Sequence, residues 1–97
     1  MIYHVTKKQA WQKALQKGFY EAASLSTEGF IHTSTLPQVA GVLNRYYKNE
    51  VDLILLHIDE SKLTSPVKYE MAPSVNELFP HIFGPININA VIKTTKP

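Results

Sequence analysis

Three histidine-bearing segments of the sequence combine the residue types that could do chemistry. His4 is followed two residues later by Thr6, and His32 by Ser34, while His81 lies far along the chain. Residues two apart in a strand point to the same side, so each pair would present an imidazole and a hydroxyl together. Because histidine exchanges protons and orients hydrogen bonds near neutral pH, two such pairs on neighbouring strands would line a small-ligand site.

Each histidine also has a structural interpretation, in which its ring is buried and bonded to a backbone carbonyl. The repeated His-x-Thr/Ser pattern favours a site, because buried polar groups are costly unless they are matched. His57 interrupts an apolar run and is expected to be structural or surface-facing. The segment around His81 suits one wall of a pocket and equally a cover over a sheet edge.

Two acidic residues lie near these segments in the sequence. Glu70 stands between Tyr69 and Met71, and Glu77 precedes the stretch that carries His81. Either carboxylate could stabilise a developing positive charge or orient a ligand hydroxyl. The competing interpretation for both is simple solvation at the surface.

Several familiar reaction centres are disfavoured. The chain has no cysteine, no His-x-His and no His-Glu-x-x-His, so no metal is expected. Ser34 lacks the Gly-x-Ser-x-Gly turn of a hydrolase nucleophile, which makes serine hydrolysis improbable. The four glycines form neither a phosphate loop nor a dinucleotide fingerprint.

Charge and hydropathy limit the partners and the location. The net charge is only +2 and the lysines are scattered, which does not favour a nucleic-acid-binding stripe. The longest apolar run, residues 53–56, is far too short to cross a bilayer, and the first residues do not resemble a signal peptide. The absence of cysteine suits a reducing compartment. We expect a cytoplasmic protein with no membrane segment.

The 97 residues, 44% hydrophobic and 19% charged, predict one α+β domain over residues 1–97. Thr6 with Gln9, and Thr35 with Gln38, fit capping boxes that would begin two principal helices. A nearly unbroken apolar run from Val51 to Ile58 predicts the central strand of the sheet. We predict helices at 7–17 and 36–48, strands at 2–5, 30–34, 51–58, 67–71 and 86–93, and mainly loop at 72–85.

Four segments together resemble the bacterial domain-of-unknown-function family 952, and the resemblance covers nearly the whole chain in order. That family is similar to the ADP-ribosyltransferase superfamily, most closely to the RNA 2′-phosphotransferase branch. The resemblance implies a compact, split, mainly antiparallel β-sheet that cradles NAD in a cleft. The segments are Ile2-Tyr3-His4-Val5-Thr6, Glu28-Gly29-Phe30-Ile31-His32-Thr33-Ser34, Leu55-Leu56-His57-Ile58-Asp59 and Leu78-Phe79-Pro80-His81-Ile82-Phe83-Gly84-Pro85.

The resemblance implies residue roles as well. His4, supported by Thr6, would bind the nicotinamide-side ribose, and His32 with Ser34 would hold the ribose or phosphate of the ligand. The chain departs from the phosphotransferase pattern at Thr27-Glu28, where that branch has an arginine, so an RNA substrate is doubtful.

The first hypothesis is an enzyme that uses NAD or an ADP-ribose-type nucleotide, by ADP-ribosyl transfer or a related hydrolysis. Glu70 would stabilise an oxocarbenium-like ribose, His32 or His81 would orient or deprotonate the acceptor, and Glu77 would help to bind the ligand. The alternatives are a non-catalytic module that binds a nucleotide or a protein in the same cleft and, more weakly, a metal-dependent hydrolase. Neither the acceptor substrate nor the oligomeric state follows from the sequence.

Overall fold

The first strand runs directly into the first helix. In a computed structural model that describes residues 1–97, β1 (Ile2–Lys7) is followed by α1 (Lys8–Lys17), which turns Trp11 and Ala14 inward. Gly18 ends α1 at φ 97°, a conformation that glycine adopts without strain, and its N–H donates to the Ala14 carbonyl. The predicted helix is confirmed.

The capping box predicted at Thr6 is wrong. Thr6 belongs to β1, Lys7 is the residue that caps α1, and no side chain caps the helix. The Thr6 hydroxyl instead contacts the Tyr20 hydroxyl in the interior. The second predicted capping box is confirmed, with Thr35 and Gln38 bonded reciprocally at the start of the second helical segment.

The remaining elements are short. A 3₁₀ turn at Leu36–Gln38 leads into the α-helix Val39–Tyr46 (α3), so the second predicted helix is divided between two helical types. Further 3₁₀ turns lie at Glu60–Lys62 and Ile88–Ala90. The other elements are β2 (Phe19–Tyr20), α2 (Ala23–Thr27), β3 (Ile31–His32), α3 (Val39–Tyr46), β4 (Leu53–Ile58), β5 (Val67–Ala72), β6 (Glu77–Ile82), β7 (Ile86–Asn87) and β8 (Val91–Thr95).

The strands form a split β structure in which all pairings are antiparallel. One sheet has the order β1-β4-β8, another has the order β3-β6-β5, and β2 pairs with β7. The apolar strand β4 is central in its sheet, as predicted. The α+β class and the split antiparallel arrangement are confirmed.

The predicted loop at residues 72–85 is wrong over half of its length, because Ala72 ends β5 and β6 occupies Glu77–Ile82, where it pairs with β5. Pro80 suggested a loop because proline cannot donate to a strand ladder. Its carbonyl nevertheless accepts from the Thr33 N–H at 3.2 Å and from the Thr33 hydroxyl at 2.6 Å. Pro80 is therefore tolerated on the side of β6 that faces β3. The pairing of β3 with β6 ends at His32, one residue before Thr33.

The two three-stranded sheets are joined at a single bridge between Tyr3 and Ser34. The Tyr3 N–H donates to the Ser34 carbonyl and the Ser34 N–H donates to the Tyr3 carbonyl, both at 2.8 Å. Residues 31–34 thus pair first with β6 and then with β1. We call the bridge between Tyr3 and Ser34 the seam. The two sheets diverge beyond it.

The core lies between the strands and α1. Its main cluster contains fully buried Ile2, Leu56 and Ile58 from the first sheet and Ile31 and Ile82 from the second. A smaller cluster on the other face of β1 and β4 packs against α3. The predicted closing strand is divided by the turn at Ile88–Ala90, which buries Ala90. No helix is long and apolar enough to cross a membrane.

The fully buried Leu56 provides a test of this core. Leu56→Ala removes apolar contacts within the main core cluster and leaves a cavity, so we expect a loss of about 2–5 kcal/mol in the free energy of unfolding. Ile92→Ala, at a side chain that is 51% exposed, should change it by less than about 0.5 kcal/mol. Urea titrations followed by circular dichroism measure both, and equal losses would contradict the assigned core.

Candidate functional site

A cavity of about 510 Å³ opens beside the seam, where the two sheets diverge beneath α3. Its volume lies within the roughly 300–1,000 Å³ that small-molecule sites occupy. Eight of its thirteen lining residues are hydrophobic, so it suits a ligand with a substantial apolar or aromatic part. The lining residues are Tyr3, His4, Val5, His32, Thr33, Ser34, Val42, Tyr46, Tyr47, Ala72, Val75, Phe79 and His81.

The structure brings His4, His32 and His81 to this one cavity although they come from three strands. β1 supplies His4, while His32 and His81 are directly opposite one another on β3 and β6. The rings of His32 and His81 are edge to face, with centroids 5.3 Å apart. The three imidazoles have very different surroundings, which give them different chemical capacities.

His4 is the buried histidine, with both ring nitrogens engaged. Nδ1 lies 2.6 Å from the His32 carbonyl and Nε2 lies 2.8 Å from the Tyr20 hydroxyl. Burial lowers the pKa of His4 to about 4, against the opposing effect of the bond to the His32 carbonyl. His4 is therefore neutral at pH 7.

Neutrality fixes the direction of the hydrogen bonds around His4. A carbonyl can only accept, so the single ring proton lies on Nδ1 and is donated to His32. Nε2 must then accept from the Tyr20 hydroxyl, and the Tyr20 oxygen, 2.9 Å from Thr6 Oγ1, accepts from Thr6 in turn. Burial raises the pKa of Tyr20, which keeps its proton in place. His4 thus holds the backbone of β3 rather than offering a free nitrogen to a ligand.

His32 stands at the mouth of the cavity. Its side chain is 55% exposed and its Nε2 lies 3.0 Å from a carboxylate oxygen of Glu28. The ring of Phe30 packs edge to face on it at 4.9 Å. Phe30 and His32 lie on one side of this segment, as the strand pattern predicted.

His81 is the inner histidine, with a side chain only 12% exposed. Its Nδ1 lies 2.7 Å from Glu70, and Phe30 stacks on its ring at 4.1 Å, so the orientation of the ring is set from two directions. Every fully buried polar side-chain atom of the protein has a hydrogen-bond partner. His81 Nε2 and the Ser34 hydroxyl bond to no other residue, so both are open to the cavity that they line.

The other predicted site residues lie away from the cavity wall. Thr6 is buried against Tyr20 and contacts no cavity space, while Glu77 is exposed and accepts from Gln38 Nε2 at 3.3 Å. Glu70 reaches the site only through His81. The structure therefore gives Thr6 and Glu70 supporting positions and places Glu77 outside the site.

Sequence reasoning missed the aromatic wall and one carboxylate. Tyr46 ends α3 and Tyr47 caps it, and both line the cavity together with Val42 of the same helix. The sequence signal was the pair of adjacent tyrosines in the apolar stripe, of which Tyr46 remains 64% exposed in the structure. The missed carboxylate is Glu28, four residues before His32, which contacts the His32 ring. From the sequence, Glu28 was considered only as part of Thr27-Glu28, where the phosphotransferase branch has an arginine.

His57 lies outside the cavity, as expected for a structural histidine. Its Nε2 is 2.8 Å from the Thr95 hydroxyl on β8, and Tyr3 packs edge to face on its ring at 5.0 Å. Burial and the nearby charge of Lys93 lower its pKa. No three His, Asp or Glu side chains are grouped so as to hold a metal ion.

Fold and cavity together define a small α+β protein with a histidine-lined cavity between two antiparallel sheets. A family model described as protein of unknown function, DUF952, matches residues 5–94. The chain therefore belongs to the DUF952 family, as the four sequence segments predicted. No curated protein matches the sequence.

Solved structures of one relative share this fold. The crystal structure of protein CC0527 from Caulobacter crescentus has a TM-score of 0.88 and 25% sequence identity, over 97% of this chain and 82% of that chain. The solution NMR structure of CC0527 has a TM-score of 0.82 at the same identity, over 97% of this chain and 81% of that chain.

The low pKa of His4 predicts a specific pH dependence of stability. Between pH 6.5 and 4 the unfolded chain binds a proton at His4 and the folded protein does not, so acidification favours unfolding. We expect wild-type stability to lose about 3 kcal/mol through this group as the pH falls through that window. His4→Gln has no titrating group at position 4, so this pH-dependent loss of stability is absent from it.

Urea titrations at a series of pH values measure the effect. His4→Gln should be less stable than wild type at pH 7, and the difference should shrink steadily towards pH 4. Subtracting the stability of His4→Gln from that of the wild type at each pH cancels the contributions of the carboxylates that both proteins share. Parallel profiles of the two proteins would show that His4 is not the buried neutral group.

Proposed function

We propose that the cavity binds an ADP-ribose-type nucleotide, with NAD as a substrate, and that the protein transfers or hydrolyses the ADP-ribosyl group. The observation that carries this proposal is the convergence of His32, Ser34 and His81 on one aromatic-walled cavity between two sheets. The proposal includes a relationship to the ADP-ribosyltransferase superfamily, with the protein acting in the cytoplasm.

The character of the cavity wall supports an aromatic ligand head. Tyr3, Tyr46, Tyr47 and Phe79 offer flat apolar surface to a base or a nicotinamide ring, and aromatic pairs favour offset or edge-to-face stacking. No lysine or arginine lines the cavity. The uncharged nucleoside end therefore enters, and the phosphates remain at the mouth beside His32.

The His81–Glu70 pair supports proton transfer at the inner end. When the bond from C1′ of the ribose to nicotinamide breaks, its electron pair leaves with nicotinamide and an oxocarbenium-like ribose remains. A water or acceptor hydroxyl then bonds to C1′ and gives its proton to Nε2 of His81. Glu70, bonded to Nδ1, stabilises the resulting imidazolium and orients the ring.

His4 and Thr6 have a positioning role in this scheme. Through its Nδ1–H, His4 holds the His32 carbonyl, and through Tyr20 it is joined to Thr6. The ligand contacts expected of His4 from the sequence thus pass to His32 and Ser34, whose polar atoms face the cavity.

A second candidate function is a non-catalytic module that binds a nucleotide or a protein segment in the same cavity. The observation that favours it is the absence of an aspartate or glutamate among the lining residues. A carboxylate at the wall would stabilise the positive ribose directly, whereas Glu28 and Glu70 act only through histidines. Whether the protein turns over NAD distinguishes the enzyme from the non-catalytic module.

Binding is tested by calorimetric titration of NAD, ADP-ribose and adenosine. We expect saturable binding, and Tyr46→Ala should weaken it by about three- to tenfold because a stacking surface is lost. Leu15→Ala, a change at a similarly exposed apolar residue on α1, is the matched control and should bind as wild type. If none of the three ligands saturates the protein, the proposed function is excluded.

Turnover is tested by following nicotinamide release from NAD by NMR. His81→Gln should lower the rate by about 100-fold or more while leaving binding largely intact, because the proton acceptor is lost. Glu70→Gln should have a smaller effect in the same direction. His57→Gln, outside the cavity, is the control. Binding without turnover in the wild type would instead favour the non-catalytic module.

A further inference from the structure

Strand β5 is an open edge of its sheet. The order β3-β6-β5 gives β5 one neighbour only, and its six residues pair with β6 without a bulge. Exposed strand edges carry unpaired N–H and C=O groups that can pair with another chain. β3, at the opposite edge of the same sheet, is followed directly by the bridge to β1.

Two backbone contacts reveal which groups of β5 face outward. The Pro80 carbonyl bonds toward β3, so the Tyr69–Pro80 pair is a non-hydrogen-bonded one. The Phe83 N–H donates to the Pro66 carbonyl at 2.8 Å, so residue 66 is directed inward. Since directions alternate along a strand, Val67, Tyr69 and Met71 direct their N–H and C=O groups to the open edge.

The side chains of β5 are complementary to a second copy of the same strand. In an antiparallel pairing centred on Tyr69, Lys68 of one copy lies opposite Glu70 of the other, twice by symmetry. These are non-hydrogen-bonded positions, where opposing side chains are closest. On the other face Tyr69, which is 48% exposed, would meet the partner's Tyr69, and Met71, which is 52% exposed, would meet the partner's Val67.

We infer that the protein forms a two-fold homodimer through β5, which joins the two copies of the β3-β6-β5 sheet into one continuous sheet. Tyr69 pairs with the partner's Tyr69, and Val67 pairs with the partner's Met71, each pair exchanging both N–H···O=C bonds. The inference is independent of the proposed function, because it depends only on the edge strand.

The dimer also brings the partner's Lys68 to the carboxylate that holds His81. Lys68 and Glu70 lie on the same face of β5 as His81 does on β6, since paired residues share a side. Glu70 uses one oxygen for His81 Nδ1 and its side chain is 44% exposed, so it can accept from a second donor. Each copy therefore completes the charge environment behind the other's inner histidine.

Sedimentation velocity at low salt, over a dilution series, tests the dimer. We expect a concentration-dependent wild-type dimer, and both Lys68→Glu and Glu70→Lys should weaken it at least about tenfold, because each change places like charges opposite at both symmetry-related pairs. Mixing the two variants restores opposite charges at both pairs and should restore association. Lys93→Glu on β8, the other exposed strand edge, should have no effect.

Amide hydrogen exchange of the wild type supplies a test that does not depend on variant folding. Protection of the Tyr69 and Met71 amides should rise with protein concentration, because their N–H groups become bonded across the dimer. A wild type that stays monomeric, protection that is independent of concentration, or association lost through Lys93→Glu but not Lys68→Glu would each overturn the inference.

Discussion

The contact between residues 3–4 and residues 32–34 is the constraint on which the rest of the structure depends. Two reciprocal backbone bonds between Tyr3 and Ser34 join the sheets, and His4 adds a third bond to the His32 carbonyl. These bonds hold the sheets together on one side only. The sheets are therefore free to diverge on the other side, where α3 and the β5–β6 hairpin complete the cavity.

The third of these bonds comes from a buried imidazole, and burying this polar ring costs desolvation free energy. An apolar residue at position 4 would avoid the cost of desolvation but would remove the donor to the His32 carbonyl and leave the Tyr20 hydroxyl bonded to Thr6 alone. His4 satisfies both at once because its neutral ring has one donor and one acceptor. The same property that makes histidine useful in catalysis thus serves to fix the position of a second histidine.

The sequence predicted the elements with strong periodicity and failed where tertiary contacts override local signals. α1 was predictable because its apolar residues repeat with the helical period, and the central strand β4 because its apolar run is nearly unbroken. The strand at β6 was not, since Pro80 is a local signal for a loop and only the position of β3 explains its tolerance. β2 and β7 are two residues each and are defined only by their pairing with one another.

The candidate site was predictable to a similar degree. The convergence of His4 and His32 could be proposed from their repeated His-x-Thr/Ser spacing, and that of His81 from a segment suited to a pocket wall. The different roles of the three histidines could not be predicted. Burial decides that His4 is a structural neutral group, and the positions of Glu28 and Glu70 decide how the other two are oriented. None of these facts has a local signature in the chain.

The proline in β6 also marks where the pairing of β3 with β6 ends. Without an N–H, Pro80 accepts from Thr33 but cannot donate to it, and the ladder stops at His32. Ser34, the residue after Thr33, directs its N–H and C=O to Tyr3 of β1, as alternation along a strand requires. The imino acid thus stands where the chain passes from one sheet to the other, beside two residues, Thr33 and Ser34, that line the cavity.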